Sequence, residues 1–247
     1  MGTDAVLELD GVVAGYGKMT ILNGTSFRIR GGAITTIIGP NGAGKSTVFK
    51  TVFGLLRVRS GRVSFLGRDI TSMTPRQLLE LGICYVPQGR NIFPELSVRH
   101  NLELGGVALA SRRESRARTE AAMDRFPMLR RKADAQASTL SGGEQKLLEI
   151  ARGLLLDPKL ILIDEPSIGL SPILTREVLS IVRALRNSGV TILMVEQNAK
   201  SALEISDEGI VLELGQVRRQ DDAGSILADP RIGHLFLGGS SSTAAAS

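Results

Sequence analysis

Gly39-Pro40-Asn41-Gly42-Ala43-Gly44-Lys45-Ser46-Thr47 decides the reading of this chain. The stretch is a G-x-x-x-x-G-K-[ST] loop, and each part of the pattern has a chemical reason. Glycines let the backbone wrap so that successive N–H groups converge on an anion. A helix that starts at the end of the loop points its positive N-terminal end at the same anion. Lys45 reaches the β- and γ-phosphates of a nucleotide, and the Ser46 hydroxyl is placed to ligate Mg²⁺. The flanks supply the context the motif needs. Ala33 to Ile38 reads as a buried strand entering the loop, and Lys45 to Phe53 as the helix leaving it.

Upstream, Val6 to Leu9 alternates apolar with polar residues and reads as a strand. Gly15-Tyr16-Gly17 follows in a turn, where the aromatic ring either stacks on a nucleobase or packs locally. Ile21 to Ile29 contains another strand, and Gly31-Gly32 turns the chain into the strand feeding the phosphate loop. Downstream, Gly61 to Phe65 is a short strand and Gly67-Arg68-Asp69 a turn. Thr74-Pro75 opens a helix running to about Leu81, in the N-cap and N1 arrangement. Ile83 to Val86 is again strand, ending at Pro87-Gln88-Gly89.

From about residue 88 the texture changes. Strand-like runs give way to helical spacing and arginine, and Ser111 to Lys132 reads as a solvated helix pair. No aromatics interleave there to stack bases, so nucleic acid is not the expected partner. Residues 88–156 therefore read as a helical subdomain inserted into an α/β core formed by 5–87 and 157–238. The core resumes at Leu160-Ile161-Leu162-Ile163, four aliphatics in a row, as suits a parallel strand buried on both faces. Pro172 to Arg186 is a helix, Thr191 to Val195 a buried strand and Ala199 to Ile205 a short helix. Glu208 to Leu214 is expected to be the closing strand, with Gly215 turning after it. The tail, 239–247, reads as disordered from its Ser and Ala content. Strands alternating with helices make this an α/β fold with a mainly parallel sheet, and no internal repeat is present.

At 247 residues the chain can bury a sizeable core. It is 43% hydrophobic and 22% charged, which is globular rather than disordered. No run approaches the 18 apolar residues of a membrane span, and Met1-Gly2-Thr3-Asp4 lacks the features of a secretory signal. Val6 stands where a myristoylation signal needs Ser or Thr. The single cysteine, Cys84, lies in an apolar run and reads as a core residue in a reducing compartment. A net charge of +5 suits anionic partners of any kind.

Two further stretches carry chemistry. Asp164 ends the apolar strand downstream of the phosphate loop, the place from which a carboxylate binds Mg²⁺ directly or through water. Glu165 comes next, where it can orient and polarise an attacking water. Upstream, Leu140-Ser141-Gly142-Gly143-Glu144 opens another helix, with Ser141 as N-cap and two glycines at its start. This is a second anion-binding helix start. A single nucleotide needs only one, and two subunits facing each other would explain the other.

These motifs, in this order and spacing, resemble the ATP-binding cassette (ABC) ATPases, and the resemblance covers residues 5–238. It implies a P-loop ABC-ATPase fold: a mainly parallel core sheet, an N-terminal antiparallel β part and the inserted helical subdomain. It further implies that Tyr16 stacks on adenine and that 39–47 holds the phosphates of ATP. Ser46, Gln88 and Asp164 would then serve Mg²⁺, with Glu165 as catalytic carboxylate. Leu140, Ser141, Gly142, Gly143 and Glu144 would contact ATP bound on the opposite subunit. Several stretches are similar to the smaller ATPase subunit of branched-chain amino-acid importers: 82–94, 166–172, 195–198 and 226–230. Importers of urea or other amino acids share much of this, and a non-transport ABC ATPase acting on nucleic acid or ribosomes is the remaining alternative. The importer reading implies polytopic permease subunits, a head-to-tail dimer with itself or a second ATPase subunit, and indirect work with a periplasmic binding protein. It places the chain peripherally on the cytoplasmic face of the membrane.

Two positions depart from the general ABC pattern. Gln197 stands where the switch histidine is expected, and Ser171 where the usual loop aspartate is expected. Both departures agree with the importer subfamily. Glutamine can donate a hydrogen bond to a γ-phosphate but cannot carry positive charge. Hydrolysis at this chain's own site is therefore expected to depend on Glu165 and to be intrinsically slow.

Overall fold

The computed structural model describes residues 5–107, 109 and 111–230. The expected disordered tail, 239–247, and the last residues assigned to the core lie outside that range. Two sheets organise the chain. An antiparallel sheet joins β1 (Ala5–Ala14), β2 (Leu22–Arg30), β4 (Val58–Phe65) and β5 (Arg68–Asp69) in the order β2-β1-β4-β5. A six-stranded sheet adds β3 (Ile34–Ile38), β6 (Ile83–Val86), β7 (Leu160–Asp164), β8 (Thr191–Val195), β9 (Glu208–Glu213) and β10 (Gln216–Asp222), in the order β10-β9-β3-β8-β7-β6. Its strands are parallel except β10, which pairs antiparallel with β9.

The residue pattern explains the layers. Every residue of β3, β7 and β8 is buried, as strands covered on both faces must be. Along β7 the sides alternate. Leu160 and Leu162 face the core around α1 (Lys45–Val52), with Leu7, Phe27, Phe49 and Phe65. Ile161 and Ile163 face the opposite side, against Val178, Val182 and Leu185 of α7 (Pro172–Asn187). Truncating such a residue to alanine costs about 2–5 kcal/mol, because the transfer term and the cavity add.

Between β6 and β7 the chain is helical, as expected. α2 (Pro75–Leu81) precedes β6; then come α3 (Val98–Gly105), α4 (Arg112–Arg125), α5 (Pro127–Arg131) and α6 (Gly142–Leu154). These last four bury a cluster of their own, including Val98, Leu102, Met123, Leu129, Leu148 and Leu155. Some arginines of the unit are paired within it: Arg99 of α3 and Arg130 of α5 with Glu120, and Arg118 of α4 with Glu114. α8 (Ala199–Leu203) and α9 (Ala223–Leu227) complete the described chain.

Two sequence expectations need correction. Gly67-Arg68-Asp69 is not only a turn: Arg68 and Asp69 form the short edge strand β5, paired with Phe65 and Ser64. Glu208 to Leu214 does not close the sheet, because the chain reverses at Leu214-Gly215 and returns as β10. β10 carries Arg218, Arg219, Gln220, Asp221 and Asp222, a polar run that an edge strand tolerates and propensity does not advertise. The turn itself requires glycine. Gly215 has φ +72°, and a Cβ there would sit 1.8 Å from the carbonyl oxygen of Ile21. Its N–H donates to Ala43 O at 2.9 Å, and its carbonyl accepts from Thr25 Oγ1 at 2.6 Å.

Candidate nucleotide site

β3 delivers the chain into the phosphate loop, and α1 leaves it. The helix starts at Lys45 with Gly44 as its N-cap, so no side chain caps it and no acidic residue stands in its first turn. The first-turn N–H groups are thus left for an anion. Lys45 is buried, and its Nζ donates to the carbonyls of Gly39 at 2.8 Å and Pro40 at 3.1 Å. Burial lowers its pKa, while Glu165 and Asp164 act the other way.

Across from α1, β7 ends in Asp164, which is 2% exposed. The Ser46 hydroxyl donates to Asp164 Oδ1 at 3.3 Å, and the Tyr85 hydroxyl to Oδ2 at 3.2 Å. Burial raises the Asp164 pKa, opposed by those two bonds and by Lys50 and Lys45. A hydroxyl and a carboxylate oxygen facing each other beside a phosphate loop are hard donors of the kind Mg²⁺ takes. Glu165 follows with φ +46°, a left-handed conformation rare outside glycine. Its N–H donates to Val195 O at 2.9 Å, and its carboxylate accepts from Gln88 Nε2 at 2.9 Å. Burial and the neighbouring Asp164 raise its pKa, against Lys45. The structure therefore brings Lys45, Ser46, Gln88, Asp164 and Glu165 together.

Tyr16 is 46% exposed, with Lys50 Nζ 5.6 Å from its ring centroid. Its loop is held by Arg59, whose guanidinium donates to Thr20 Oγ1, Gly17 O and Met19 O at 2.9–3.0 Å.

The second helix start is built differently. Ser141 and Glu144 form a reciprocal capping box: Ser141 Oγ accepts from Glu144 N, and Glu144 Oε2 accepts from Ser141 N. Lys132 Nζ neutralises the Glu144 carboxylate at 2.7 Å. Gly142 and Gly143 permit close approach: a Cβ would lie 2.8 Å from Leu170 Cδ2 or 3.0 Å from Leu174 Cδ2. This segment packs through α6 on α3, α7 and β6, with Gly142 against Leu170 just before α7 and Gly143 against Leu174 in its first turn. Ser171 is the N-cap of α7 and accepts from Leu174 N, a task that serine and aspartate both perform. Gln197 is exposed just beyond β8, its N–H donating to Glu196 Oε2 at 3.1 Å.

Three features escaped the sequence reading. Tyr85 was legible only as a strand residue; its ring packs on Phe49 and Phe53 while its hydroxyl reaches Asp164. A buried phenol needs a polar partner, which was the available signal. Lys146 and Glu149, both buried on α6, pair with each other and grip the loop after Gln88: Lys146 Nζ donates to Gly89 O, and Glu149 accepts from Asn91 N. Glu196 is 3% exposed and accepts from the backbone and side chain of Ser167.

Comparison with known proteins agrees with this geometry. The family model described as "ABC transporter" matches residues 22–168. A high-affinity branched-chain amino acid transport ATP-binding protein, BraG of Pseudomonas aeruginosa, is 37% identical over 234 residues, covering 95% of this chain and all of that protein. A probable branched-chain amino acid transport ATP-binding protein, LivF of Archaeoglobus fulgidus, is 39% identical over 91% of this chain and 95% of its own length. Among solved structures, an ATP-binding cassette of an ABC transporter in its ADP conformation superposes with a TM-score of 0.84, at 31% identity, covering 95% of this chain and 99% of that one. ATPases of this kind bind ATP with Mg²⁺, work with membrane permeases and dimerise. With its phosphate loop, its Asp164–Glu165 pair and full-length relatives at this identity, the chain belongs to the ATP-binding subunits of ABC transporters.

Proposed function

We propose that this chain is the ATP-hydrolysing subunit that energises an importer of branched-chain amino acids. The observation that carries the reading is the match to BraG along the whole of that protein. Residues 5–238 act as one nucleotide-binding domain. Tyr16 stacks on adenine, residues 39–47 wrap the phosphates, and Lys45 leaves the loop carbonyls for the β- and γ-phosphates. Ser46 and Asp164, with Gln88 beside them, hold Mg²⁺, which when bound neutralises charge on the phosphates. Glu165, raised in pKa and held by the Gln88 side-chain amide, takes up the proton of an attacking water, while Gln197 donates a hydrogen bond to the γ-phosphate.

The capped helix start at Ser141, with Gly142 and Gly143 behind it, meets the nucleotide of the opposing subunit, which is this chain again or a second ATPase. ATP binding closes that pair and hydrolysis reopens it. Closure reaches polytopic permease subunits through the loop around Gln88, and a periplasmic binding protein supplies the solute. Among the described residues no helix is long and apolar enough to cross a membrane, and the chain sits on the cytoplasmic face through its permease partners.

The test is a mild-detergent pull-down from native membranes, paired with uptake of labelled leucine by cells carrying wild-type or Glu165→Gln protein. Co-purified polytopic subunits and loss of leucine uptake in the variant are the expected results. Co-purified ribosomal proteins, or leucine uptake unaffected by the variant, would overturn the reading.

A further inference from the structure

The exits from β7 and β8 are adjacent, since Asp164 pairs with Val195 at the ends of the two strands. Beyond that point the chains diverge: one continues as Glu165-Pro166-Ser167, the other as Glu196-Gln197. A single carboxylate bridges them. Glu196 accepts from Ser167 N at 2.9 Å, from Ser167 Oγ at 2.8 Å and from Gln197 N at 3.1 Å. A buried carboxylate costs several kcal/mol unless donors compensate it, and here these three donors lie on both exits. The segment it fixes is also strained, because Glu165 holds φ +46° with its N–H on Val195 O and its carbonyl on Ile168 N.

We propose that Glu196 is a positioning residue for ATP hydrolysis, locking the turn that carries Glu165 to the backbone of Gln197 so that both side chains are presented in fixed register. Glu196 touches neither water nor phosphate in this role. It sets where the two residues that do are held, and a displacement of about 1 Å at such a site is enough to slow a reaction about 100-fold. Ser167 is its partner rather than an ordinary turn residue. The inference rests on the assignment of Glu165 as the catalytic carboxylate.

The experiment uses the full-length chain in two measurements. The first is hydrogen exchange on nucleotide-free protein. Glu196→Ala should speed exchange at the amides of Ser167 and Gln197 while leaving β8 and β3 protected, and Glu196→Gln should restore protection at one or both. The second is hydrolysis of Mg-ATP. Glu196→Ala should lower kcat about 10- to 100-fold with ATP affinity changed less than about twofold, and Glu196→Gln should recover most of kcat. Ser167→Ala, which deletes one donor only, should fall between, and it carries the test if Glu196→Ala does not fold. Wild-type kcat in Glu196→Ala and Ser167→Ala overturns the proposal. So does faster exchange across both strands with a matching loss of ATP binding and no recovery by glutamine. Glu165→Gln separates the two readings: if it still hydrolyses ATP, the catalytic assignment falls, while exchange at residues 167 and 197 decides the clamp by itself.

Discussion

Gln88 donates its side-chain amide to the Glu165 carboxylate at 2.9 Å. The two residues leave neighbouring parallel strands, β6 and β7, which pair through Val86 and Ile163. A loop gripped by the helical unit is thus in direct hydrogen-bond contact with the acid beside the phosphate loop. Gln88→Ala is expected to lower kcat about tenfold with little change in ATP affinity, since a positioned hydrogen bond is lost and no phosphate contact is. Gln88→Glu sets two carboxylates against each other and should lower it further. Phosphate release and nucleotide titration of both variants check this; equal rates in wild type and Gln88→Ala would remove the coupling.

Arg59 ties three points of the Tyr16 loop together. Arg59→Ala should therefore weaken ATP binding about three- to tenfold without changing kcat, because the ring loses its platform while the phosphate side is untouched. Tyr16→Phe should keep affinity and Tyr16→Ala lose it. Titration with a fluorescent adenine nucleotide distinguishes them.

Glu149 and Lys146 are a buried ion pair. Removing the carboxylate alone, as Glu149→Leu, strands a buried ammonium and should cost about 3–5 kcal/mol. The double variant Lys146→Met/Glu149→Leu should recover most of that loss. Denaturant unfolding of the two singles and the double gives the coupling energy, and strict additivity would contradict it.

Cys84 is buried, 6% exposed, and burial pushes its thiol pKa from an ordinary 9.0 up to about 12. It should resist alkylation in the native state at pH 8 and react only on unfolding. Because the folded value is raised, the stability linked to the neutral thiol is fully present below pH 9 and is lost as pH rises toward 12. Rapid native alkylation at pH 8 would contradict the enclosure.

Gln197 replaces the expected histidine and is exposed beyond β8. Gln197→His in the assembled complex should raise turnover, because imidazolium adds charge where glutamine supplies only a hydrogen bond. Unchanged turnover would remove the link between this residue and slow hydrolysis.

Much of the fold was legible because its core strands are parallel and buried on both faces. Aliphatic runs such as Leu160 to Ile163 and Thr191 to Val195 announce themselves. So did the phosphate loop, the capping serine at 141 and the Asp164–Glu165 pair, all local patterns with local causes. What stayed hidden was of two kinds. β10 is an edge strand made of charged and polar residues, so neither hydrophobicity nor period marks it. Tyr85, Lys146, Glu149 and Glu196 act through partners 3 to 79 positions away. Only the folded chain shows which partner each one meets.

The hairpin turn at Gly215 presses on the phosphate loop, taking Ala43 O with its N–H while Thr25 holds its carbonyl. On the ribosome, residues 39–47 emerge early, yet the wall they rest against is more than 160 residues behind them. Vectorial synthesis therefore leaves this loop without its support until β9 and the turn have been translated. A nascent chain halted before that point carries the whole nucleotide signature and lacks the scaffold that shapes it. A stable nucleotide cradle is therefore expected only once residue 215 has been translated and has folded back onto Ala43.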